Sequence, residues 1–203
     1  MYPGHWAAVA PDKPAAINAN TGEVLDYATL NARSAQLAHY FKAQGLGVGD
    51  HIALFMENNL RFFEVAWAAY RSGLYLTCIN RYLTAEEAAY IVNDCDASIL
   101  ISSAARGTVA DALREPCPGV KAFLMTDGAL PGWTDYDAAL ADQSATNPAE
   151  EPAGDSMLYS SGTTGRPKGI KRPLSGESIR AGTRISQALA AQYHFTENSV
   201  YLS

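Results

Sequence analysis

The chain has 203 residues, 48% of them hydrophobic, and its 21 acidic against 15 basic side chains give a formal net charge of −6. That length and apolar content suffice for one large domain, or for one domain and part of another, while the acidic balance excludes a broad nucleic-acid-binding face. No apolar run is long enough for a transmembrane segment, and residues 1–10 lack the basic and apolar regions of a signal peptide, so a cytoplasmic protein is expected.

Residues 15–18 and 23–25 flank Asn20-Thr21-Gly22, a hairpin signal. Asp26 is placed to cap a helix that begins at Tyr27, carries Leu30, Leu37, Ala38 and Phe41 on one face, and ends at Gly45. "HIALFMEN" from His51 then reads as a buried strand. A second helix is expected from about Asn59 to Gly73, with Leu60, Phe63, Trp67 and Tyr70 as a core-facing stripe. Residues 74–80 form the next strand candidate, and Thr84 with Glu87 makes a capping box for a helix that buries Ala88, Ile91 and Val92. Residues 97–102 and 121–126 are further strands. Strands separated by helices imply parallel pairing, so the fold class is α/β, a layered sheet with flanking helices.

Cys78, Cys95 and Cys117 are odd in number and widely spaced, so they read as small buried apolar residues in a reducing compartment. His5, His39, His51 and His194 have no metal-ligand spacing. Glu86, Glu87, Asp94 and Asp96 bracket one helix and read as capping and solvation.

Residues 143–154, "QSATNPAEEPAG", are small, acidic and without periodicity, and read as a surface connector. The expected organisation is an α/β subdomain over residues 1–142, this connector, and the start of a second subdomain over residues 155–203. That last part comprises a strand, a glycine loop, a helix at residues 178–193 and an apolar strand "SVYLS". A chain that ends within an apolar strand reads as a piece of a longer one.

"YSSGTTGRPKG", from Tyr159 to Gly169, concentrates hydroxyls, glycines and cations after a strand. Glycines let backbone N–H groups converge on an anion, and Ser160, Ser161, Thr163 and Thr164 add hydroxyl donors. Lys168 adds a mobile positive charge. The stretch is not a Walker A loop, because Pro167 precedes the lysine and Gly169 replaces the hydroxyl residue that would follow it. Ser160 also lacks the G-x-S-x-G elbow of a hydrolase nucleophile. Around it, Arg166, Lys168, Lys171 and Arg172 form a basic cluster that reads either as an anion grip or as a solvated patch.

"YSSGTTGRPKG" resembles the phosphate-binding signature of the adenylate-forming superfamily, and residues 71–101, with "NRYLTAEE", are similar to its acyl-CoA synthetases. The resemblance runs from about Trp6 to the last residue and matches the N-terminal part of a protein more than twice this long. It departs from the family pattern at Thr77-Cys78-Ile79, where proline is common, and at Lys171-Arg172, where less basic residues are common. The resemblance implies that ATP activates a carboxylic, by default fatty, acid to an acyl-adenylate, which coenzyme A then takes. It implies that Ser160, Ser161, Gly162, Thr163, Thr164, Gly165 and Lys168 hold the leaving phosphates, with Thr163 touching Mg2+ and the loop closing over ATP. The implied partners are the small-molecule acid and the C-terminal portion of the same enzyme, with this piece inactive alone. A carrier-protein-loading adenylation domain and a non-catalytic scaffold are the alternatives.

Overall fold

The computed structural model describes residues 2–160, 166–182 and 184–202; of residues 184–187 only the backbone is described. A short helix, α1 (Pro3–Val9), leads into the antiparallel pair β1 (Pro14–Ile17) and β2 (Val24–Asp26). Asp26 caps α2 (Tyr27–Ala43) by accepting the Thr29 N–H at 2.7 Å. The chain turns out of α2 at Gly45, whose φ of +80° is the left-handed conformation glycine adopts without strain.

The alternation expected from the sequence follows. It comprises β3 (His51–Phe55), α3 (Arg61–Arg71), β4 (Tyr75–Cys78), α4 (Ala85–Asp94), β5 (Ala97–Ser103), α5 (Gly107–Asp111), β6 (Ala122–Thr126), β7 (Thr134–Asp135), α6 (Tyr136–Ala141) and β8 (Asp155–Ser156). The strands form one six-stranded sheet in the order β7-β6-β5-β3-β4-β8, and every pairing is parallel. Parallel sheets need apolar cover on both faces, and the period-two alternation supplies it. Ile52 and Leu54 of β3 pack with Leu37 and Phe41 of α2 and Val65 and Ala69 of α3. Ala53 and Phe55 turn the other way, onto Ala88, Ile91 and Val92 of α4 and Ala110 of α5. Each such large aliphatic or aromatic side chain contributes about 1.5–3 kcal/mol by its burial.

The capping box forms as expected: the Thr84 hydroxyl accepts from the Glu87 N–H, and the Glu87 carboxylate accepts from the Thr84 N–H at 2.9 Å. The stripe of α3 forms in part: Leu60 is buried, Trp67 packs beside it and Tyr70 packs on the main core, but Phe63 does not turn inward. Phe63 is 40% exposed and Trp67 and Tyr70 are half-buried, because the small side chains of Ala66, Ala68 and Ala69 let α3 sit close to its neighbours. Burial pushes all three thiols up to about 11; Cys95 and Cys117 are buried, whereas Cys78, though crowded by its neighbours, keeps an exposed surface, against expectation.

Residues 143–150 are exposed or half-buried, in keeping with a surface connector, but the end of that segment is anchored inside. Glu151, Ala153 and Gly154 are buried. Arg71, fully buried at the end of α3, donates from Nε to Glu151 Oε1 at 2.6 Å. Its other nitrogens reach Asn31 O, Ser34 Oγ, Asn31 Oδ1, Asn147 Oδ1 and Tyr2 Oη at 2.9–3.1 Å. The second carboxylate oxygen of Glu151 accepts from Tyr2 Oη at 2.5 Å and Arg180 Nε at 2.6 Å. Gly154 lies so close to β4 that a Cβ there would sit 2.3 Å from the Leu74 carbonyl oxygen.

Beyond β8, β9 (Leu158–Ser160) and β10 (Lys168–Ile170) pair antiparallel. The glycine loop therefore joins two strands, the second of which the sequence reading did not include. The expected helix at residues 178–193 is divided at Gly182, with φ +73°, into a short 3-10 turn (Ile179–Ala181) and α7 (Arg184–Gln192). Residues 199–202 are not a strand: Val200 and Leu202 are 94% and 84% exposed and have no ladder partner among the described residues.

Burial alone would push the Glu151 carboxyl up, but hydrogen bonds from Tyr2 and Arg180 and the Arg71 charge outweigh it and hold the group below its ordinary range. A depressed carboxylate stabilises the fold at pH values above the unfolded group's 4.5, and that stability is lost as the pH falls through the folded value. Glu151→Ala leaves the buried Arg71 unpaired and is expected to cost about 3–5 kcal/mol by urea denaturation at neutral pH. A loss under about 1 kcal/mol would show that the pair is not structurally important.

Candidate functional site

Of the residues the sequence points to, Ser160 and Lys168 are described; Ser161, Gly162, Thr163, Thr164 and Gly165 lie outside the described residues. Ser160 and Lys168 stand opposite each other, Tyr159 opposite Gly169, and Leu158 opposite Ile170. Directly paired residues share a face, so Ser160, Lys168, Leu158 and Ile170 lie on one side of the hairpin. All four are exposed. On the other side, Tyr159 crosses Gly169: a Cβ on Gly169 would lie 3.1 Å from the Tyr159 ring and 2.3 Å from Met157 Cε.

The sheet dictates where the hairpin points. Asp155 N and Met157 N donate to Leu74 O and Leu76 O at 3.2 and 3.0 Å, so the chain runs alongside β4 in the same direction. It therefore brings Ser160 toward the carboxyl side of β4, and Arg166 and Pro167 lie near Leu83 and Glu86 at the start of α4. Open α/β sheets bind ligands beyond the carboxyl ends of their strands. Arg166 and Pro167 border a groove of about 600 Å³ there, whose opposite wall includes Leu83, Glu86 and Tyr90.

The return strand is tied at the other end. Tyr75 Oη donates to Arg172 O at 2.6 Å, and Lys171 Nζ lies 5.2 Å from the Tyr75 ring centroid. Lys171 Nζ also lies 3.3 Å from His51 Nε2, and the His51 ring stacks on Tyr75 at 4.8 Å. An ammonium only donates, so Nε2 is the acceptor and Nδ1 carries the proton. That Nδ1 is buried and has no partner among the described residues.

These ties sort the basic cluster. Arg166 lies over the Tyr90 ring at 5.0 Å, Lys171 is held by His51 and Tyr75, and Arg172 pairs with Asp155 at 2.8 Å. Three of these four cations are thus engaged by the scaffold, whereas Lys168 is exposed and pairs with no carboxylate among the described residues.

The family model for AMP-binding enzymes matches residues 4–203. The chain belongs to the AMP-binding enzyme family. It is 31% identical over 170 residues to the long-chain-fatty-acid–CoA ligase FadD13 of Mycobacterium tuberculosis, covering 81% of this chain and 32% of that protein. It is 32% identical over 191 residues to a long-chain-fatty-acid–CoA ligase of Thermus thermophilus, covering 89% of this chain and 35% of that one. The chain thus spans about a third of the length of the curated relatives it matches. Among solved structures, the anthranilate CoA ligase AuaEII in complex with anthranoyl-AMP shares the fold, with a TM-score of 0.75, 22% identity, and coverage of 83% of this chain and 33% of that one.

Sequence reasoning missed the residues that hold this AMP-binding family member's hairpin. Asp94, read as a helix-end charge, accepts from Tyr159 Oη at 2.6 Å, and Tyr90 Oη donates to Pro167 O at 3.1 Å. The available signal was the spacing of Tyr90 and Asp94, four residues apart on one helix face. His51, read as an ordinary structural residue, has a structural role of a specific kind: it anchors the return strand.

Burial, and then the Lys171 charge, hold the His51 imidazole below its ordinary value of 6.5, while Asp96 and Asp50 pull the other way. The unfolded chain takes up this proton first, so stability is full above 6.5 and falls as the pH drops toward the folded value. Urea midpoints at pH 7.5 and 5.5 are expected to differ less in His51→Phe than in the parent chain. An unchanged pH dependence would assign the titration to another group.

Proposed function

We propose that the enzyme carrying this chain activates a carboxylic acid with ATP and transfers the acyl group to coenzyme A. A carboxylate oxygen bonds to the α-phosphorus, the bond to the bridging β-phosphate oxygen breaks, and pyrophosphate leaves. The thiol sulfur of coenzyme A then bonds to the acyl carbon of the adenylate, its proton is lost, and AMP departs. A fatty acid is the favoured substrate class, in line with the names of the two bacterial relatives.

The observation that carries this reading is the exposed Lys168 opposite Ser160, uncommitted among the described residues at the stem of a hydroxyl- and glycine-rich loop. Hydroxyls, backbone N–H groups and an ammonium form a donor set suited to phosphate oxygens. Lys168 offsets the charge that develops on the leaving pyrophosphate, and residues 160–165 position it. The described residues contain no group of His, Cys, Asp or Glu able to hold a metal ion. Mg2+ is assigned to the triphosphate by the family resemblance, with the Thr163 hydroxyl as a candidate protein contact, and no step here depends on it. A bound Mg2+ would supply further charge neutralisation between phosphate oxygens.

The exposed apolar residues Leu158, Ile170, Tyr193, Phe195, Val200 and Leu202 support a further part of the same enzyme as the partner that covers them. The reaction is assigned to that whole enzyme and not to residues 1–203 alone. No helix is long and apolar enough to cross a membrane among the described residues, and a cytoplasmic enzyme is the reading adopted.

The test is ATP–pyrophosphate exchange driven by a fatty acid in the enzyme carrying this chain, with coenzyme A or a carrier protein added as acceptor. Lys168→Ala is expected to slow exchange by about 10²-fold, the usual effect of removing one electrostatic stabiliser. An unaffected rate would contradict the role given to Lys168, and acyl transfer to the carrier protein alone would contradict the acceptor.

A further inference from the structure

We propose that Tyr90 and Asp94 are positioning residues that align Lys168 for pyrophosphate departure, an inference that rests on the ATP-dependent reaction above. The two lie one turn apart on α4 and reach both strands of the hairpin. Asp94 accepts from Tyr159 Oη at 2.6 Å, on β9. Tyr90 Oη donates to Pro167 O at 3.1 Å, immediately before β10, and its ring lies under the Arg166 guanidinium at 5.0 Å.

The Pro167 carbonyl belongs to the same rigid peptide plane as the Lys168 nitrogen. Proline also fixes its own φ. Holding that carbonyl therefore sets the direction in which the Lys168 backbone, and hence its side chain, starts. The same Tyr90 ring engages the Arg166 charge, leaving Lys168 to face the ligand. At the base of the hairpin, Tyr159 is trapped between Gly169 and Asp94, which fixes how far β9 and β10 roll over α4. Neither Tyr90 nor Asp94 is given substrate contact; both act through the stem of the loop.

A positioning role of this kind affects the step in which phosphates are held and not the later thioester step. In the enzyme carrying this chain, Tyr90→Phe is expected to raise the KM for ATP in pyrophosphate exchange about 3- to 10-fold, the worth of one hydrogen bond. The KM for the carboxylic acid and the rate of transfer from preformed adenylate are expected to stay within about twofold, inside the scatter of a surface substitution. Asp94→Ala should act in the same direction, and Asp94→Asn, which keeps an oxygen acceptor for Tyr159, should restore much of the loss.

A second readout uses the 203-residue chain itself. Trypsin does not cut before Pro167, so the fragment ending at Lys168, separated by mass from the one ending at Lys171, reports on the Lys168–Gly169 bond, and Tyr90→Phe should accelerate its release about 3- to 10-fold. Equal cleavage rates, or equal rises in both KM values with a slowed transfer step, would overturn the positioning role. If Lys168→Ala slows exchange while Tyr90→Phe does not, the positioning inference alone fails. If Lys168→Ala has no effect, the reading beneath it fails as well.

Discussion

The buried pair of Arg71 and Glu151 is the joint on which the position of the loop depends. The Glu151 side chain ties the chain entering the hairpin to α3 through Arg71, and to α1 through Tyr2. Its other connections tie the chain leaving the hairpin: Arg180 reaches its carboxylate, and the Ile179 N–H donates to its carbonyl at 2.9 Å. The Ser178 hydroxyl donates to the same carbonyl at 3.3 Å. One residue thus closes both ends of an excursion that contains β8, β9, the glycine loop and β10. Such a joint is stable only when each buried charge is fully satisfied, and the Arg71 nitrogens all find oxygen partners.

From that joint the geometry is propagated by backbone. Gly154 passes against β4 where no side chain fits, β8 adopts the register of β4, and the chain continues in that direction toward the carboxyl side of the sheet. α4 then clasps the hairpin from the side, and His51 with Tyr75 holds the return strand at the amino ends of β3 and β4. The sheet is rigid because both its faces are covered. The stem of the hairpin is anchored to that sheet and to α4 by hydrogen bonds and cation–π contacts.

Local signals were legible in the sequence. The Asp26 cap, the Thr84–Glu87 capping box, the turn at Gly22 and the apolar run of β3 each depend on residues within a few positions of one another, and each forms as read. Long-range polar partners were not legible. Glu150 and Glu151 are adjacent and chemically alike, yet one is exposed and the other buried, because only Glu151 meets Arg71 across 80 positions of chain. The exposure of Phe63 on α3 was not legible for a related reason: helical spacing identifies a stripe but not how far each of its members turns inward. Lys168 was singled out by its motif, whereas the separation of its charge from those of Arg166, Lys171 and Arg172 depends on Tyr90, His51, Tyr75 and Asp155, all distant in sequence.

The central proposal is that Lys168, unpaired among the described residues while Arg166, Lys171 and Arg172 are engaged, is the cation that meets a polyphosphate. The most direct measurement is titration of the 15N-labelled chain with inorganic pyrophosphate, followed by amide chemical shifts. The account predicts weak but saturable shifts confined to residues 160–168 and their partners on α4. Shifts centred on Lys171 and Arg172, or no saturable shift at any concentration, would contradict it.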